Sequence, residues 1–396
     1  MRRKNFTEVI DNTSKRWYDK VNKGRSGNIM LKRFEVENFK GFDKKIEFDL
    51  TAREYEFNKD IVKNGIVNKA IIYGKNGVGK SSLGIALFDI CWHLTDKERM
   101  NVKYLRNYIN LKTNSQNANF KYFFQFDEDK IIYEYEKKDP ENLVFEKLTI
   151  NNNMVLYYNY FNEKDNYIDD EIRQDLNIEL VDNKLSVIKY IYRSTPANPE
   201  SPLTKMMVFC ENMLWYRSLS DGNAYCGFKN GGAELSEVLY ESGKKIEFKN
   251  FLKENDIDYE LEFMPINGKH QLMVKFDDKL APFDSIASTG TMALYLYFIW
   301  SVSSFDKISF LFIDEFDAFF HYEAAESIIL QLNKNYNFQT ILTSHNTYLM
   351  QNKLTRPDCC FLMTNNKISN LFNSTQKEIR EAHNLEKMYI NGAFNE

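Results

Sequence analysis

Residues 71–82 read IIYGKNGVGKSS, an apolar run that ends in a glycine-rich turn closing on Lys80 and Ser81. That spacing fits a buried strand, a loop wrapped around an anion and a helix, in that order. With no side chains on Gly74, Gly77 and Gly79, backbone N–H groups of the loop can turn inward around phosphate oxygens. Lys80 then stands as a point charge near the β- and γ-phosphates, and the Ser81 hydroxyl is placed to ligate Mg²⁺. A helix from about Ser82 to His93 adds its positive N-terminal end. The stretch Gly74, Lys75, Asn76, Gly77, Val78, Gly79, Lys80, Ser81 and Ser82 is therefore expected to cradle a nucleoside triphosphate.

A second apolar run, ISFLFI, ends at Asp314 and Glu315. A buried strand would present Asp314 at its carboxyl end, where open α/β sheets bind ligands, and one carboxylate there can hold Mg²⁺. Glu315 would then orient and deprotonate the attacking water. Further on, QTILTSHN is another apolar run, closing on His345, whose neutral imidazole can hydrogen-bond a γ-phosphate. Upstream, Ser288, Thr289, Gly290 and Thr291 precede an apolar helix. That is either another helix N-terminus able to receive phosphate or an ordinary cap.

Three apolar strands separated by helical stretches point to an α/β fold with a mostly parallel core sheet. Around it, Met30 to Leu50 alternates apolar and polar residues on both sides of Gly41, as two paired strands would, and Phe120 to Thr149 alternates as a small antiparallel meander. From Tyr167 to about Phe276 the pattern becomes mostly helical, with Ser201-Pro202 as a helix start and Gly227 to Gly232 as a loop. The expected divisions are a basic arm at 1–29, the first part of the head at 30–150, a mainly helical insertion at 151–280 and the rest of the head at 281–396.

The chain has 396 residues, 43% of them hydrophobic, enough for one large core or two modest ones. No apolar run reaches the roughly 18 residues of a membrane span, so no membrane association is expected; the longest, Met292 to Val302, is expected to be a buried helix. No secretory leader is expected at the start of the sequence. Cys91, Cys210, Cys226, Cys359 and Cys360 form no metal-ligand spacing, which favours a reduced cytoplasm and no structural zinc. A formal net charge of −4 disfavours a broad surface for coating nucleic acid but leaves room for a local patch. Residues 1–29 carry eight basic and three acidic side chains, either such a patch or a polar arm upstream of a start at Met30.

In this order, GKNGVGKSS, a serine-glycine pair before a helix, an Asp-Glu strand and a strand-end histidine resemble an ABC-class ATPase of the SMC/RecF/OLD branch, whose N-terminal strand signature ENFKGF at 37–42 also resembles. FIDEFDAFFH, TSHN and the C-terminal NLEKMYINGAF resemble more narrowly the compact bacterial AAA-type ATP-binding proteins of phage-defence loci. The resemblance covers about residues 30–394. It implies a P-loop ATPase head with an N-terminal antiparallel β lobe and a helical insertion, using ATP and Mg²⁺. It also implies a head-to-head homodimer, or a higher even oligomer, that closes around ATP. Ser288 and Gly290 would contact the γ-phosphate held by the opposite protomer, His345 would be the switch histidine, and His321 occupies the dimer-facing loop. The full LSGGQ sequence is missing, His321 stands where transporters have aspartate, and Gln125 is the one weak candidate for a glutamine loop.

The resulting expectation is an ATPase that acts as sensor or regulatory subunit of an anti-phage or toxin system, its effector a separate nuclease or toxin. Residues 346–396 are too short for the TOPRIM nuclease of OLD-type proteins, and the five histidines offer no nuclease cluster. The alternative is a RecF-like DNA-repair or DNA-loading ATPase, which would add nucleic acid as a partner. A transporter ATPase or a small-molecule kinase fits the motifs less well.

Overall fold

The computed structural model describes residues 29–95, 97, 106–173, 176, 178, 182–196, 198–217, 225–227, 234–365 and 367–394. All of the basic arm before Ile29, and the glycine-rich segment after Gly227, lie outside the described residues.

The central sheet runs, in spatial order, β12 (Tyr225–Gly227), β11 (Met213–Arg217), β16 (Phe310–Asp314), β17 (Gln339–Ser344), β5 (Lys69–Tyr73), β18 (Cys360–Thr364) and β19 (Lys367–Asn370). The five inner strands are parallel, and β12 and β19 pair antiparallel at the edges. Both faces are buried, which is why β11, β16, β5 and β18 read as nearly continuous apolar runs; β17 is buried too, with Ile341 and Leu342 its apolar residues. Alternation sorts their side chains: Ala70, Ile72, Phe310 and Phe312 enter one apolar core, whereas Ile71, Tyr73, Leu311 and Ile313 enter the other.

The first core is shared with an antiparallel sheet of β10 (Tyr167–Ile168), β9 (Asn153–Asn159), β8 (Leu143–Ile150), β7 (Asp129–Lys137), β6 (Ala118–Phe126), β1 (Ile29–Glu37) and β2 (Ile46–Asp49). Here the paired strands around Gly41 and the meander expected after Phe120 are both found. Helix α1 (Lys80–Leu94) belongs to the same core and is apolar almost all round, as a helix without a solvent face must be. A Cβ at its Gly84 would lie 2.7 Å from the Phe312 ring and 2.8 Å from the Trp215 indole nitrogen, so glycine sets how closely α1 approaches the sheet. Buried Gln339 stitches the two sheets: its amide nitrogen donates to the carbonyls of Leu31 and Val67, and its oxygen accepts from the Leu31 N–H. A short ribbon of β3 (Val62–Lys63) and β4 (Ile66–Val67) leads into β5.

The stretch read as mostly helical is mixed. It holds α2 (Asp170–Arg173), α3 (Val187–Ser194), α4 (Pro202–Glu211, capped by Ser201), α5 (Leu235–Ser242) and α6 (Lys245–Lys253). It also supplies β11 to the central sheet and, with β13 (Glu260–Ile266), β14 (Lys269–Phe276) and β15 (Lys279–Pro282), a separate three-stranded sheet. The second core closes with α7 (Phe283–Ile286), α8 (Thr289–Ser303), α9 (Tyr322–Asn335) and α10 (Leu385–Ile390), where the expected buried helix after Met292 is seen. Among the described residues no helix is long and apolar enough to cross a membrane.

Inside the first core a polar network ties α1 to the antiparallel sheet. Asp89 Oδ1 accepts from Lys137 Nζ at 2.6 Å and from the Tyr135 hydroxyl at 2.9 Å, and Oδ2 accepts from the Tyr108 hydroxyl at 2.8 Å. Burial pushes the Asp89 carboxyl up, but the Lys137 ammonium and the hydrogen bonds from His93 and Lys137 together carry it below the usual carboxylate range. At His93, burial and then the Lys137 charge push the imidazole down to about 4, against the opposing pull of Asp89. Between its unfolded value of about 6.5 and pH 4, the unfolded chain binds a proton that the folded one refuses. Stability is therefore lost as pH falls through that window. Replacing His93→Gln should remove that part of the slope, so the stability gap between wild type and variant should narrow by up to about 1.4 kcal/mol per pH unit below 6.5. Denaturant midpoints at pH 7.5, 6 and 5 measure it; parallel curves would assign the acid sensitivity elsewhere.

Candidate functional site

The glycine-rich loop leaves β5 and enters α1 as its spacing predicts. Gly77 and Gly79 adopt φ of 80° and 108°, where a side chain would be strained. At Gly74 a Cβ would come within 2.6 Å of the Met363 carbonyl oxygen, and at Gly79 within 2.7 Å of the Phe42 ring. Phe42 is the last residue of ENFKGF and is fully buried, so that segment forms the floor under the loop. The α1 helix starts at Lys80, two residues earlier than expected, with Gly79 at its cap and no side chain bonded to the first N–H groups. Those donors point where an anion would be held. Lys80 is mostly buried and donates to the carbonyls of Gly74 at 2.7 Å and Lys75 at 3.1 Å, which folds its ammonium over the loop.

Strand order brings the other candidates alongside. β17 pairs with β5 in parallel, Ser344 opposite Tyr73, so His345 emerges beside Gly74. Its Nδ1 lies 3.4 Å from Lys80 Nζ, and burial together with the Lys80 charge pushes its imidazole down from the ordinary value, towards the neutral form. β16 is the next strand out, and its last residue, Asp314, is fully buried. The Thr343 hydroxyl donates to Asp314 Oδ1 at 2.7 Å and accepts from the Glu315 N–H at 2.8 Å, so one side chain of β17 fixes both acids. Asp314 Oδ2 is buried without a hydrogen-bond partner. Glu315 has φ of 51°, an uncommon conformation for a residue with a side chain and the kind of local strain that functional sites hold.

Other candidates sit elsewhere. Ser288 caps α8, accepting from the Thr291 N–H at 3.1 Å, and is exposed. A Cβ on Gly290 would lie 2.7 Å from the Phe319 carbonyl oxygen, so the loop after Glu315 packs directly on this turn. His321 is exposed at the start of α9. Gln125 is not at the site: it lies on β6 of the antiparallel sheet, where its amide donates to the Asp127 carbonyl. The parallel strand that ends beside Asp314 is β11, with Arg217 opposite Asp314.

Three neighbours were not singled out in the sequence. The Asp317 carboxylate accepts from the Ser344 hydroxyl at 2.8 Å, and burial pushes its carboxyl up. Thr343 is the second. The third, Arg217, forks onto Glu315 with Nη2 2.5 Å from Oε1 and Nε 3.1 Å from Oε2. An apolar MLWY run closing on an arginine announces none of this, because the partner acid is far along the chain. Among the described residues no group of three or more His, Cys, Asp or Glu side chains could hold a metal ion alone. Buried Asp314 Oδ2, which accepts no hydrogen bond and has the Arg217 Nε as an ion-pair neighbour at 3.7 Å, nevertheless fits a divalent cation whose remaining ligands come from a hydroxyl and from phosphates.

Residues 216–351 match the family model described as "AAA domain, putative AbiEii toxin, Type IV TA system". The matched span includes Arg217, Ser288, Gly290, Asp314, Glu315 and His345 and stops short of the Gly74–Ser82 loop. No curated protein sequence matches the chain. Among solved structures, an Smc head bound to the C-winged helix domain of ScpA is 14% identical with a TM-score of 0.46, covering 86% of this chain and 97% of that one. An SMC head domain from Thermotoga maritima is 14% identical, with a TM-score of 0.39 and coverage of 86% and 98%. An Smc head with an extended coiled coil, bound to a ScpA domain derived from Pyrococcus furiosus, is 12% identical, with a TM-score of 0.44 and coverage of 87% and 97%. Likeness at this level says nothing about activity or partners.

Proposed function

We propose that this chain is an ABC-type ATPase whose two nucleotide sites are completed across a head-to-head dimer, and that it acts as the sensor or regulatory subunit of a toxin or anti-phage module with a separate effector. One observation carries the ATPase reading: the phosphate-loop geometry, the Asp314–Glu315 pair and His345 converge at the carboxyl ends of three adjacent parallel strands. That is where open α/β sheets bind ligands. The match to a family described as a toxin of a toxin-antitoxin system supports the module.

In this reading the loop N–H groups and the α1 N-terminus hold the phosphates of ATP, and Lys80 exchanges its carbonyl partners for phosphate oxygens. Ser81 and Asp314 would hold Mg²⁺, which supplies charge neutralisation on the phosphates. Glu315 takes the proton of the attacking water, and neutral His345 donates to the γ-phosphate.

The test is equilibrium ATP binding and phosphate release by the wild type and Lys80→Ala. Losing one charge-assisted contact should weaken ATP binding about 10- to 100-fold. Undiminished binding in a folded Lys80→Ala protein would remove the loop as the site.

A further inference from the structure

Resting on that reading, we infer that Arg217 is a site residue of the hydrolytic reaction: an arginine parked on Glu315 that transfers to the γ-phosphate, freeing the carboxylate as it does so. The guanidinium occupies both Glu315 oxygens, at 2.5 and 3.1 Å, and its Nε lies 3.7 Å from Asp314 Oδ2, which accepts no hydrogen bond. The fork takes one lone-pair site on each Glu315 oxygen, so a water approaching the carboxylate has about half of them left. Moving Arg217 off Glu315 restores the rest to the attacking water.

Where the arginine goes follows from strand order. β16 and β17 separate β11 from β5, so the ends of β11 and β5 are roughly 14 Å apart at about 4.8 Å per strand. A triphosphate held by the loop extends its last phosphate over the ends of β17 and β16, into the gap that the long arginine side chain spans from the other side. Water reaches both partners, so the fork can open without leaving either charge dry. Arg217 is 28% exposed and Glu315 31%. A γ-phosphate carries more charge than a carboxylate and accepts the same fork of N–H groups. Simple restraint of Glu315 would make removal of Arg217 speed hydrolysis a few-fold. Transfer to the γ-phosphate makes removal slow it, because an arginine on that phosphate contributes on the order of 10³–10⁵ in rate in the best-studied cases.

The experiment compares Arg217→Ala, Arg217→Gln and Arg217→Lys in the full chain by single-turnover hydrolysis, with ATP and ADP affinities measured in a Glu315→Gln background. We expect Arg217→Ala and Arg217→Gln to slow single-turnover hydrolysis at least 100-fold. In the Glu315→Gln background both should weaken ATP about tenfold and ADP less than threefold, with Arg217→Lys intermediate. A hydrolysis rate that is unchanged or faster, or an equal loss of ATP and ADP binding, would overturn the assignment and leave Arg217 as a structural partner of Glu315. If Arg217→Ala fails to fold, Arg217→Gln and Arg217→Lys decide the matter. Failure of the ATPase reading itself looks different: the wild type then neither binds nor hydrolyses ATP, whatever stands at position 217.

Discussion

Glu315→Gln should bind ATP about as tightly as the wild type and hydrolyse it 10²- to 10⁴-fold more slowly, the usual contribution of a positioned general base. The amide keeps the size of the side chain and, through its oxygen, one of the two hydrogen bonds from Arg217, while losing the ability to take a proton. Its backbone is held independently, by the Glu315 N–H to Thr343 and by the Phe316 N–H to the Thr343 carbonyl, so the turn should survive the change. If ATP closes a dimer, this variant should also persist as a closed dimer in ATP and open in ADP, which size-exclusion chromatography with light scattering resolves. Wild-type turnover in Glu315→Gln would take the base role away from Glu315 and turn attention to Asp317, whose carboxyl is pushed up by burial next to the same site.

Much of this architecture was legible because the elements that build the site are the ones most constrained by burial. β5, β16 and β17 are buried on both faces, and the apolar runs of β5 and β16 stand out; the residues at the carboxyl ends of all three are by topology the residues at the site. The glycines at 74 and 79 are explained by contacts that no short motif states: the Met363 carbonyl and the Phe42 ring leave no room for a Cβ.

What sequence reading missed was of two kinds. The β13–β14 hairpin carried a usable signal: Asn267-Gly268, with φ of 51° and 78°, is the turn pair that favours a two-residue hairpin loop. It was submerged by neighbouring amphipathic helices. Arg217 is the other kind. Its partner Glu315 is 98 residues away, and only the parallel register of β11 with β16 brings the two together. A short strand ending in arginine looks the same whether that arginine faces water or a pair of buried-strand acids.

The composite site makes the most demanding prediction. Ser288 lies at an exposed helix start; its hydroxyl accepts from the Thr291 N–H and shares a hydrogen bond with the Thr291 hydroxyl at 2.9 Å, so with the Thr291 hydroxyl as donor its own proton can go to a phosphate presented by a second protomer. Gly290 next to it admits no side chain, because the Phe319 carbonyl is 2.7 Å from where the Cβ would sit, and the exposed Phe319 ring adjoins the same surface. If this turn completes the site of an opposing copy, a Ser288→Arg chain and a Lys80→Ala chain should each be inactive alone, every site in either homodimer lacking one half. Losing the cap should cost the Ser288→Arg fold only about 1 kcal/mol, so its inactivity should accompany a normal melting curve. Mixed, the two chains form a heterodimer in which one site joins an intact loop to an intact signature while the other carries both defects. Random pairing at equal amounts makes about half the dimers mixed, each with one good site, so activity should return to at most about a quarter of the wild-type rate, with its maximum near equal proportions. Fluorescence exchange between labelled chains verifies that subunits swap. With exchange demonstrated, no recovery on mixing would sink the two-protomer site, and full activity of Ser288→Arg alone would reduce Ser288 to a helix cap.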